Sequence, residues 1–233
     1  LPDFTEEIIT GSIGYFINQY NIIREGVPLR SFYGYEVNGM FQLGDDIANS
    51  PTPAVSGYTY GMPKFVDQNN DGLIDTDDRV VLGDPFPDFT FGFNNSFRYK
   101  NISLDVFLMG VQGIETLDGN ITESLYPTNS YRNSISRYYK ERWTPENPTN
   151  SIPSGVNPTL YGGGRAINSM TVMDASYVRL KNITLGYNVP LTGNSLLQSL
   201  RFFVAADNLL TITDYDGYDP DSSADGTSVA KTN

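Results

Sequence analysis

Residues 89–100 alternate between aromatic and polar side chains, and this alternation restricts the fold more than any other feature of the sequence. The odd positions are almost wholly aromatic: Phe89, Phe91, Phe93, Asn95, Phe97 and Tyr99. The even positions are polar or glycine: Thr90, Gly92, Asn94, Ser96, Arg98 and Lys100. Because successive side chains of a β-strand point to opposite faces, the segment predicts a strand with one aromatic face. Such a strand suits the core of a soluble sandwich, or a barrel whose aromatic face meets lipid and whose polar face lines a wet lumen.

Three further segments have the character of strands of about ten residues. After a short turn at Asn101, an apolar face alternates with Ser103 and Asp105; its members are Ile102, Leu104, Val106 and Leu108. The other two segments are 177–187, with a register break expected near Asn182, and 200–209, and a turn at 189–199 separates them. Strands of this length, joined by alternately short and long connections, are typical of outer-membrane barrels. We therefore predict an all-β fold that forms part of a large antiparallel transmembrane β-barrel.

The long connections are polar and rich in Gly and Pro. Residues 41–64 read as a loop. Residues 110–173 form a longer connection, in which the spacing of apolar residues over 130–143 predicts one short helix, ended by Pro145. We expect this helix to pack within the connection.

Composition removes several classes of chemistry. The chain has 233 residues and contains neither Cys nor His, which excludes disulfides, cysteine nucleophiles and the commonest zinc ligand. Its net charge of −12 argues against nucleic acid as a partner. No run of apolar residues is long enough for a transmembrane helix. The composition leaves open only catalysis by a pair of carboxylates, as in glycosidases. Nothing in the sequence favours one pair over another, so we predict that the protein is not an enzyme.

An acidic loop at residues 67–78 has the pattern of a calcium-binding loop. Oxygen donors fall at positions 1, 3, 5, 7 (through the backbone carbonyl), 9 and 12 of this loop: Asp67, Asn69, Asp71, Leu73, Asp75 and Asp78. Gly72, at position 6, permits the sharp turn. The flanking segments look β-like, so we expect bound Ca²⁺, or Mg²⁺, to rigidify the loop and not to act as a switch. The alternative reading is a solvated acidic turn.

The same loop would also suit a secreted calcium-dependent carbohydrate-binding or dockerin-like module. A dockerin needs a second loop of this kind and flanking helices. The other cluster of Asp residues, at 214–221, has the wrong spacing and reads as a tight turn.

Several short motifs, taken in order, resemble the SusC/RagA family of TonB-dependent outer-membrane transporters. They lie within these ranges: 26–41, 64–92, 107–113, 142–147, 176–182, 207–209 and 217–220. Each motif alone is weak evidence, but the ordered set is highly specific for that family.

The resemblance implies a 22-stranded barrel with a plug, in the outer membrane of Bacteroidota, that imports oligosaccharides or peptides with a SusD-like lipoprotein as its lid. This chain resembles the C-terminal portion over residues 1–233, and we expect the plug, the TonB-contacting segment and the last strand to lie outside it. Segment 41–88 would be an extracellular loop carrying the cation-binding loop 67–78. Segment 110–173 would be a second long loop with a short helix.

Overall fold

The computed structural model describes residues 8–10, 20–53, 58–118, 136–155, 167–191, 197–217 and 219–221. Within these ranges the regular secondary structure is almost all β-strand, which confirms the predicted all-β class. The strands are β1 (Ile8–Thr10), β2 (Asn21–Ile23), β3 (Ser31–Tyr35), β4 (Val37–Met40), β5 (Thr52–Pro53), β6 (Pro63–Phe65), β7 (Leu73–Ile74), β8 (Arg79–Gly83), β9 (Phe89–Tyr99), β10 (Ile102–Gln112), β11 (Glu115–Leu117), β12 (Val172–Asp174), β13 (Tyr177–Asn188) and β14 (Arg201–Thr213).

One α-helix, α1 (Ser136–Glu141), is found among the described residues. It lies inside the segment 130–143 that predicted a helix, and residues 130–135 lie outside the described part. Short 3-10 helices occur at Ile47–Asn49 and Thr76–Asp78. In the described ranges, no helix combines the length and the apolar character needed to cross a membrane.

The chain divides into two compact units. The described residues of 87–114 and 174–216 form the sheet unit, and those of 1–86, 115–173 and 217–233 form the mixed unit.

The sheet unit is a single antiparallel sheet in the order β14–β13–β10–β9. Its strands are 11 to 13 residues long. The predicted short turn is present at Lys100–Asn101, where Lys100 takes the left-handed backbone conformation with φ 52°. Strand β10 continues to Gln112, so the long connection begins at residue 113, three residues later than the predicted start at 110. Strand β14 likewise continues beyond the predicted end at 209.

A bulge interrupts the sheet where a register break was predicted. Leu180 pairs with Leu108 and Asn182 with Phe107, which leaves Lys181 outside the ladder. The neighbouring strand β14 accommodates the same point with Asn208 at φ 50°. The extra residue keeps the apolar side chains of β13 on one face on both sides of the break.

The mixed unit contains one larger sheet and three two-stranded sheets. The larger sheet has the order β1–β2–β3–β8. A hydrophobic cluster belongs to this unit and draws on residues far apart in sequence: Tyr20, Phe32, Leu117, Ile167 and Val172.

Segment 41–64 was predicted as a loop, but its described residues include regular structure. It includes β5 and the start of β6, and its residues Phe41, Tyr58 and Met62 join a second buried cluster with Tyr35, Phe65 and Ile74. The rings of Phe41 and Tyr58 lie 4.5 Å apart between centroids. The Gly- and Pro-rich sequence did not reveal this packing, because half of the cluster (Tyr35, Phe65 and Ile74) lies outside the segment.

Candidate functional site

The acidic loop, residues 67–78, is organised first by the carboxylate of Asp67. Asp67 Oδ1 accepts the backbone N–H of Asn70 at 2.6 Å, and Oδ2 accepts that of Gly72 at 2.9 Å. Gly72 has φ +86° and open space where a Cβ would lie, so the backbone conformation alone, and not a lack of space, requires glycine at this position. Position 1 of the predicted loop therefore holds the turn at position 6.

The next two predicted ligands repeat the arrangement. Asn69 Oδ1 accepts the N–H of Asp71 at 3.0 Å, and Asp71 Oδ1 accepts that of Leu73 at 2.8 Å. Asn69 Nδ2 also donates to Asp71 Oδ2 at 3.0 Å. These are turns in which a side-chain oxygen bonds the backbone two residues on. Hydrogen bonds thus link the Asp67, Asn69 and Asp71 side chains into one group.

Asp78 closes the loop. Its Oδ1 accepts the N–H of Gln68 at 2.8 Å and its Oδ2 accepts that of Asp75 at 2.8 Å. Asp75 in turn caps the short 3-10 helix by accepting the N–H of Asp77 at 2.9 Å. The Asp78 side chain is fully buried. A short carboxylate at position 12 therefore joins both ends of the loop through backbone donors.

The middle of the loop is anchored in the mixed unit by Ile74. This side chain is fully buried in the cluster that contains Tyr35 and Phe65. Strand β7 (Leu73–Ile74) pairs in parallel with β5, and Thr52 donates its N–H to Gly72 O at 3.2 Å. The predicted backbone ligand Leu73 lies in this strand with its side chain exposed. As expected, the flanks of the loop, β6 and β8, are strands.

The six predicted ligands fit a hard cation in type and order, because Ca²⁺ binds carboxylate, amide and carbonyl oxygens. A carboxylate oxygen that accepts one N–H keeps a further lone pair. Within the described residues, however, no three acidic side chains converge as they stand into a group that could hold a metal ion. The hydrogen bonds instead gather the ligands into two groups, one around Asp67 and one around Asp78.

Burial and charge beside the loop affect Tyr35. Burial raises the pKa of Tyr35 to about 12; the nearby Arg79 charge opposes this rise and the Asp75 and Asp78 carboxylates add to it. The Arg79 guanidinium donates to Tyr33 O at 2.8 Å and lies 4.6 Å from the Tyr33 ring centroid.

A second candidate surface is the sheet unit, whose two faces differ in chemistry. Residues directly opposite one another in an antiparallel ladder share a face. By this register, one face carries almost only apolar side chains: Phe89, Phe91, Phe93, Phe97, Tyr99, Ile102, Leu104, Val106, Leu108, Val178, Leu180, Ile183, Leu185, Tyr187, Phe202, Val204, Leu210 and Ile212. Many of these are strongly exposed, Val204 by 74%. We call this the apolar face.

The opposite face, here called the polar face, carries hydrogen bonds between side chains of neighbouring strands. Ser96 Oγ donates to Asp105 Oδ1 at 2.6 Å, and Asn182 Nδ2 donates to Asp207 Oδ1 at 2.7 Å. Arg179 is buried, and its Nε donates to Thr211 Oγ1 at 2.9 Å. These pairs join neighbouring strands across the face.

The longest connections leave from one end of this sheet. Phe89 pairs with Gln112, Val111 with Tyr177, and Tyr177 with Thr213. The strand termini that adjoin residues 88, 113, 176 and 214 therefore lie together at that end of the sheet. The opposite end carries the two-residue turn Lys100–Asn101 and the connection 189–200.

One hydrogen-bond network of the mixed unit, built around the buried Trp143, was not predicted from the sequence. Gln42 Oε1 accepts the indole N–H of Trp143 at 2.8 Å, and Gln42 Nε2 donates to Asn150 Oδ1 at 3.1 Å. Asn150 Oδ1 also accepts the N–H of Met40 at 2.9 Å. A lone Trp inside a polar segment was the one available signal, because a buried indole N–H usually finds an acceptor.

Curated proteins match nearly the whole chain. TonB-dependent receptor P3 of Formosa agariphila is 39% identical over 230 residues, which is 96% of this chain and 22% of that protein. TonB-dependent receptor SusC of Bacteroides thetaiotaomicron is 27% identical over 167 residues, 67% of this chain and 15% of SusC. The chain thus spans about a fifth of the length of these relatives. Models of protein families give no match.

Solved structures share the fold. A chain of the RagAB peptide importer in its open-open state matches with a TM-score of 0.64 at 22% identity. The match covers 94% of this chain and 22% of that one. A second structure of the RagAB peptide transporter matches with a TM-score of 0.63 at 24% identity, over 88% of this chain and 22% of the other.

Proposed function

Because the chain belongs to the TonB-dependent receptors of the SusC/RagA type, we propose that it forms part of the wall and extracellular loops of an outer-membrane nutrient importer. The observation that carries this proposal is the sheet unit, which has one apolar face, one polar face and its longest connections at one end of the strands. Transmembrane barrels combine these three properties, with lipid outside, a polar lumen inside and long loops on the extracellular side.

The apolar face has the dimensions and ends that a bilayer requires. A tilted strand of about 9–11 residues crosses the hydrocarbon core, and the sheet strands meet this length. At the end of the sheet that carries the turn Lys100–Asn101, one row across the four strands consists of Tyr99, Ile102, Tyr187 and Phe202. Aromatic side chains are favoured at the level of the lipid headgroups, so this row would mark the periplasmic interface.

Two neighbouring residues of β14 test the proposed orientation. Val204 lies on the apolar face and Ala205 on the polar face, opposite Thr184. We expect Val204→Arg in the full-length protein to lose about 2–4 kcal/mol of stability in the bilayer, because a charge would face lipid. Ala205→Arg should be tolerated. The measurement is the amount of heat-modifiable folded protein in outer-membrane fractions.

Equal effects of the two substitutions, or a reversed order, would refute the orientation. Extraction adds a second control, because a secreted carbohydrate-binding module would stay soluble without detergent. The proposed barrel protein should need detergent throughout.

Cargo and partners are proposed by analogy with the family. A SusD-like lipoprotein would form the lid, TonB would act through regions outside this chain, and the cargo would be an oligosaccharide or a peptide. The resemblance in motifs and the likeness to RagAB support this assembly. No catalytic role is proposed, since the relatives are named as receptors and the chain has neither His nor Cys.

The assembly predicts that the tagged full-length protein co-purifies with a lipoprotein from detergent extracts. Deleting its gene should abolish uptake of one class of labelled nutrient, either oligosaccharides or peptides, and leave the other unchanged. Unimpaired uptake of both classes would contradict the importer role.

We assign the acidic loop a structural divalent cation, Ca²⁺ or Mg²⁺, as part of the same proposal. Asp67, Asn69, Asp71 and Asp78 would supply side-chain oxygens, Leu73 its carbonyl, and Asp75 a contact through water. The cation would offset the repulsion among the carboxylates of the loop. The support is the order of donors along the loop and the turn at Gly72.

Metal analysis and chelation test this assignment. We expect the purified full-length protein to contain about one equivalent of the cation in this loop and to lose thermal stability on chelation. Asp67→Asn and Asp71→Asn should weaken the effect of added Ca²⁺, while Asp46→Asn, at the cap of the helix Ile47–Asn49, serves as the control. Unchanged melting with and without chelator, and no bound metal, would exclude the site.

A further inference from the structure

The ammonium group of Lys100 lies on the apolar side of the sheet, although the alternation over 89–100 assigns Lys100 to the polar side. At Lys100 the backbone takes the left-handed conformation, with φ 52°, and the alternation ends there. Lys100 Nζ lies 5.3 Å from the centroid of the Tyr99 ring, and Tyr99 belongs to the apolar face. The positive charge is therefore carried on the side of the sheet that the proposed orientation turns towards lipid.

The turn that carries Lys100 is held by the neighbouring strands. Asn188 donates its backbone N–H to Asn101 O at 2.8 Å, and Tyr99 pairs with Ile102 across the turn. The Tyr99 side chain is 71% exposed. An aromatic face attracts a cation, and the ammonium group keeps its N–H donors for other partners. The turn and the ring together therefore hold the ammonium group at the surface of the sheet.

The described strands supply no negative charge on this side of the sheet. By the register of the four strands, none of their acidic side chains lies on the apolar face. Asp105 lies on the polar face, which it shares with Arg98 and Arg201. The ion pairs found in the described ranges belong to the mixed unit and do not include Lys100. The counter-charge of Lys100 must therefore come from its surroundings.

The exposed row beside Lys100 indicates what those surroundings are. The row contains Tyr99, Ile102, Tyr187 and Phe202, and in the proposed arrangement it lies at the level of the lipid headgroups. Hydrocarbon cannot satisfy an ammonium group, and a lysine near the end of a membrane-spanning segment extends to the interface. At that level a membrane offers anionic headgroups, which attract lysine. A lipid phosphate supplies both the negative charge and the oxygen acceptors that the ammonium group needs.

We propose that Lys100, held over the Tyr99 ring, binds the phosphate group of a phospholipid in the membrane leaflet next to the turn Lys100–Asn101. The contact would fix the height of this end of the sheet in the bilayer, because it joins the turn to the headgroups. The inference rests on the proposed function, since it requires the apolar face to meet lipid. It does not depend on the cargo or on the cation of the acidic loop.

Photo-crosslinking in a bilayer of two lipids tests the proposal. The full-length protein carries at position 100 a photoreactive lysine analogue that keeps the ammonium group. The bilayer contains equal amounts of phosphatidylglycerol and of a digalactosyl lipid that has the same acyl chains and no phosphate. We expect the phosphatidylglycerol product to exceed the other about fivefold. Equal amounts of the two products, or no lipid product, would overturn the proposal.

Two controls identify the source of the phosphate and the position of the lysine. Millimolar inorganic phosphate should leave the product ratio unchanged, and loss of the preference would show that the group binds phosphate from solution and not a lipid. The same analogue at Lys64, which pairs with Asp45 in the mixed unit, should give no preference for phosphatidylglycerol. An equal preference from position 64 would reduce the effect to general attraction by the membrane surface.

Substitutions of Lys100 test the charge itself, with a photoreactive residue at position 102 as the reporter. Lys100→Asn should remove the preference for phosphatidylglycerol and keep the turn, because asparagine tolerates the left-handed conformation. Lys100→Arg should retain the preference. Arg98→Gln is the matched control, since it removes a charge from the same end of the sheet on the polar face. A preference that survives Lys100→Asn, or that Arg98→Gln removes, would contradict the assignment to Lys100.

The outcomes also separate this proposal from the proposed function. If Val204→Arg and Ala205→Arg behave as expected but the lipid products show no preference, only the phosphate contact fails. If those two variants contradict the orientation, the proposed function fails, whatever the lipid products show.

Discussion

At the scale of single residues, burial and the nearby acidic loop determine the protonation of Tyr35. Its side chain lies in the cluster that anchors Ile74, and its pKa rises from 10.0 to about 12. Between these values the folded protein keeps a proton that the unfolded chain loses. Stability is therefore fully present below about pH 10 and falls as the pH rises towards 12.

The Tyr35→Phe substitution tests this dependence. We expect the full-length wild-type protein to lose up to about 3 kcal/mol in the mixed unit between these pH values. The Tyr35→Phe protein should lose less, because it has no proton to release at this site. Thermal unfolding at pH 9 and pH 11.5 measures the difference, with the exposed Tyr60→Phe as control. Identical pH profiles for all three proteins would contradict the assignment.

At the scale of elements, one close approach depends on the absence of a side chain in β3. A Cβ at Gly34 would lie 2.3 Å from the carbonyl oxygen of Ile167, which belongs to the backbone and cannot rotate away. The approach allows Tyr35 N to donate to Ile167 O at 2.9 Å and Ser169 N to donate to Tyr35 O at 3.0 Å. This glycine therefore joins β3 to a segment more than a hundred residues away.

The Gly34→Ala substitution should separate these two segments. We expect a loss of roughly 1–3 kcal/mol or more, because overpacking against backbone forces a shift. Amide hydrogen exchange at Tyr35 and Ser169 should accelerate. Gly92→Ala is the matched control, since it lies in β9 and its Cβ would meet the nearest atom, of Phe107, at 3.4 Å. Equal exchange in both variants would show that the approach is not required.

At the scale of the whole molecule, the acidic loop lies in the mixed unit, which is a separate compact unit from the sheet unit. The loop is tied to the mixed unit by Ile74 and by the pairing of β7 with β5. The four-stranded sheet has its own continuous ladder. A change in the loop should accordingly remain local to the mixed unit.

Chelation of the proposed cation tests this independence. We expect faster hydrogen exchange at Gly72, Leu73 and Thr52 after chelation, because the turn loses its stabilising charge. Exchange in β9, β10 and β13 should not change. Loss of protection throughout the sheet would contradict the division into independent units.

The sequence alone determined the features that depend on neighbours along the chain. The period of two in 89–100 predicted the strand and its two faces, and the break near Asn182 predicted the bulge. The order of oxygen donors from Asp67 to Asp78 predicted a tight turn at Gly72, because side chains two to five residues apart reach the same backbone.

Only the tertiary structure decided which distant residues meet. The strand order, the contact of Gly34 with Ile167, and the bond from Trp143 to Gln42, 101 residues away, are contacts of this kind. So is the row formed by Arg98, Ser103, Gly186 and Phe203, whose members come from four strands. Local periodicity says which face a side chain occupies but not which strand lies beside it. That choice depends on packing and charge summed over the whole assembled surface.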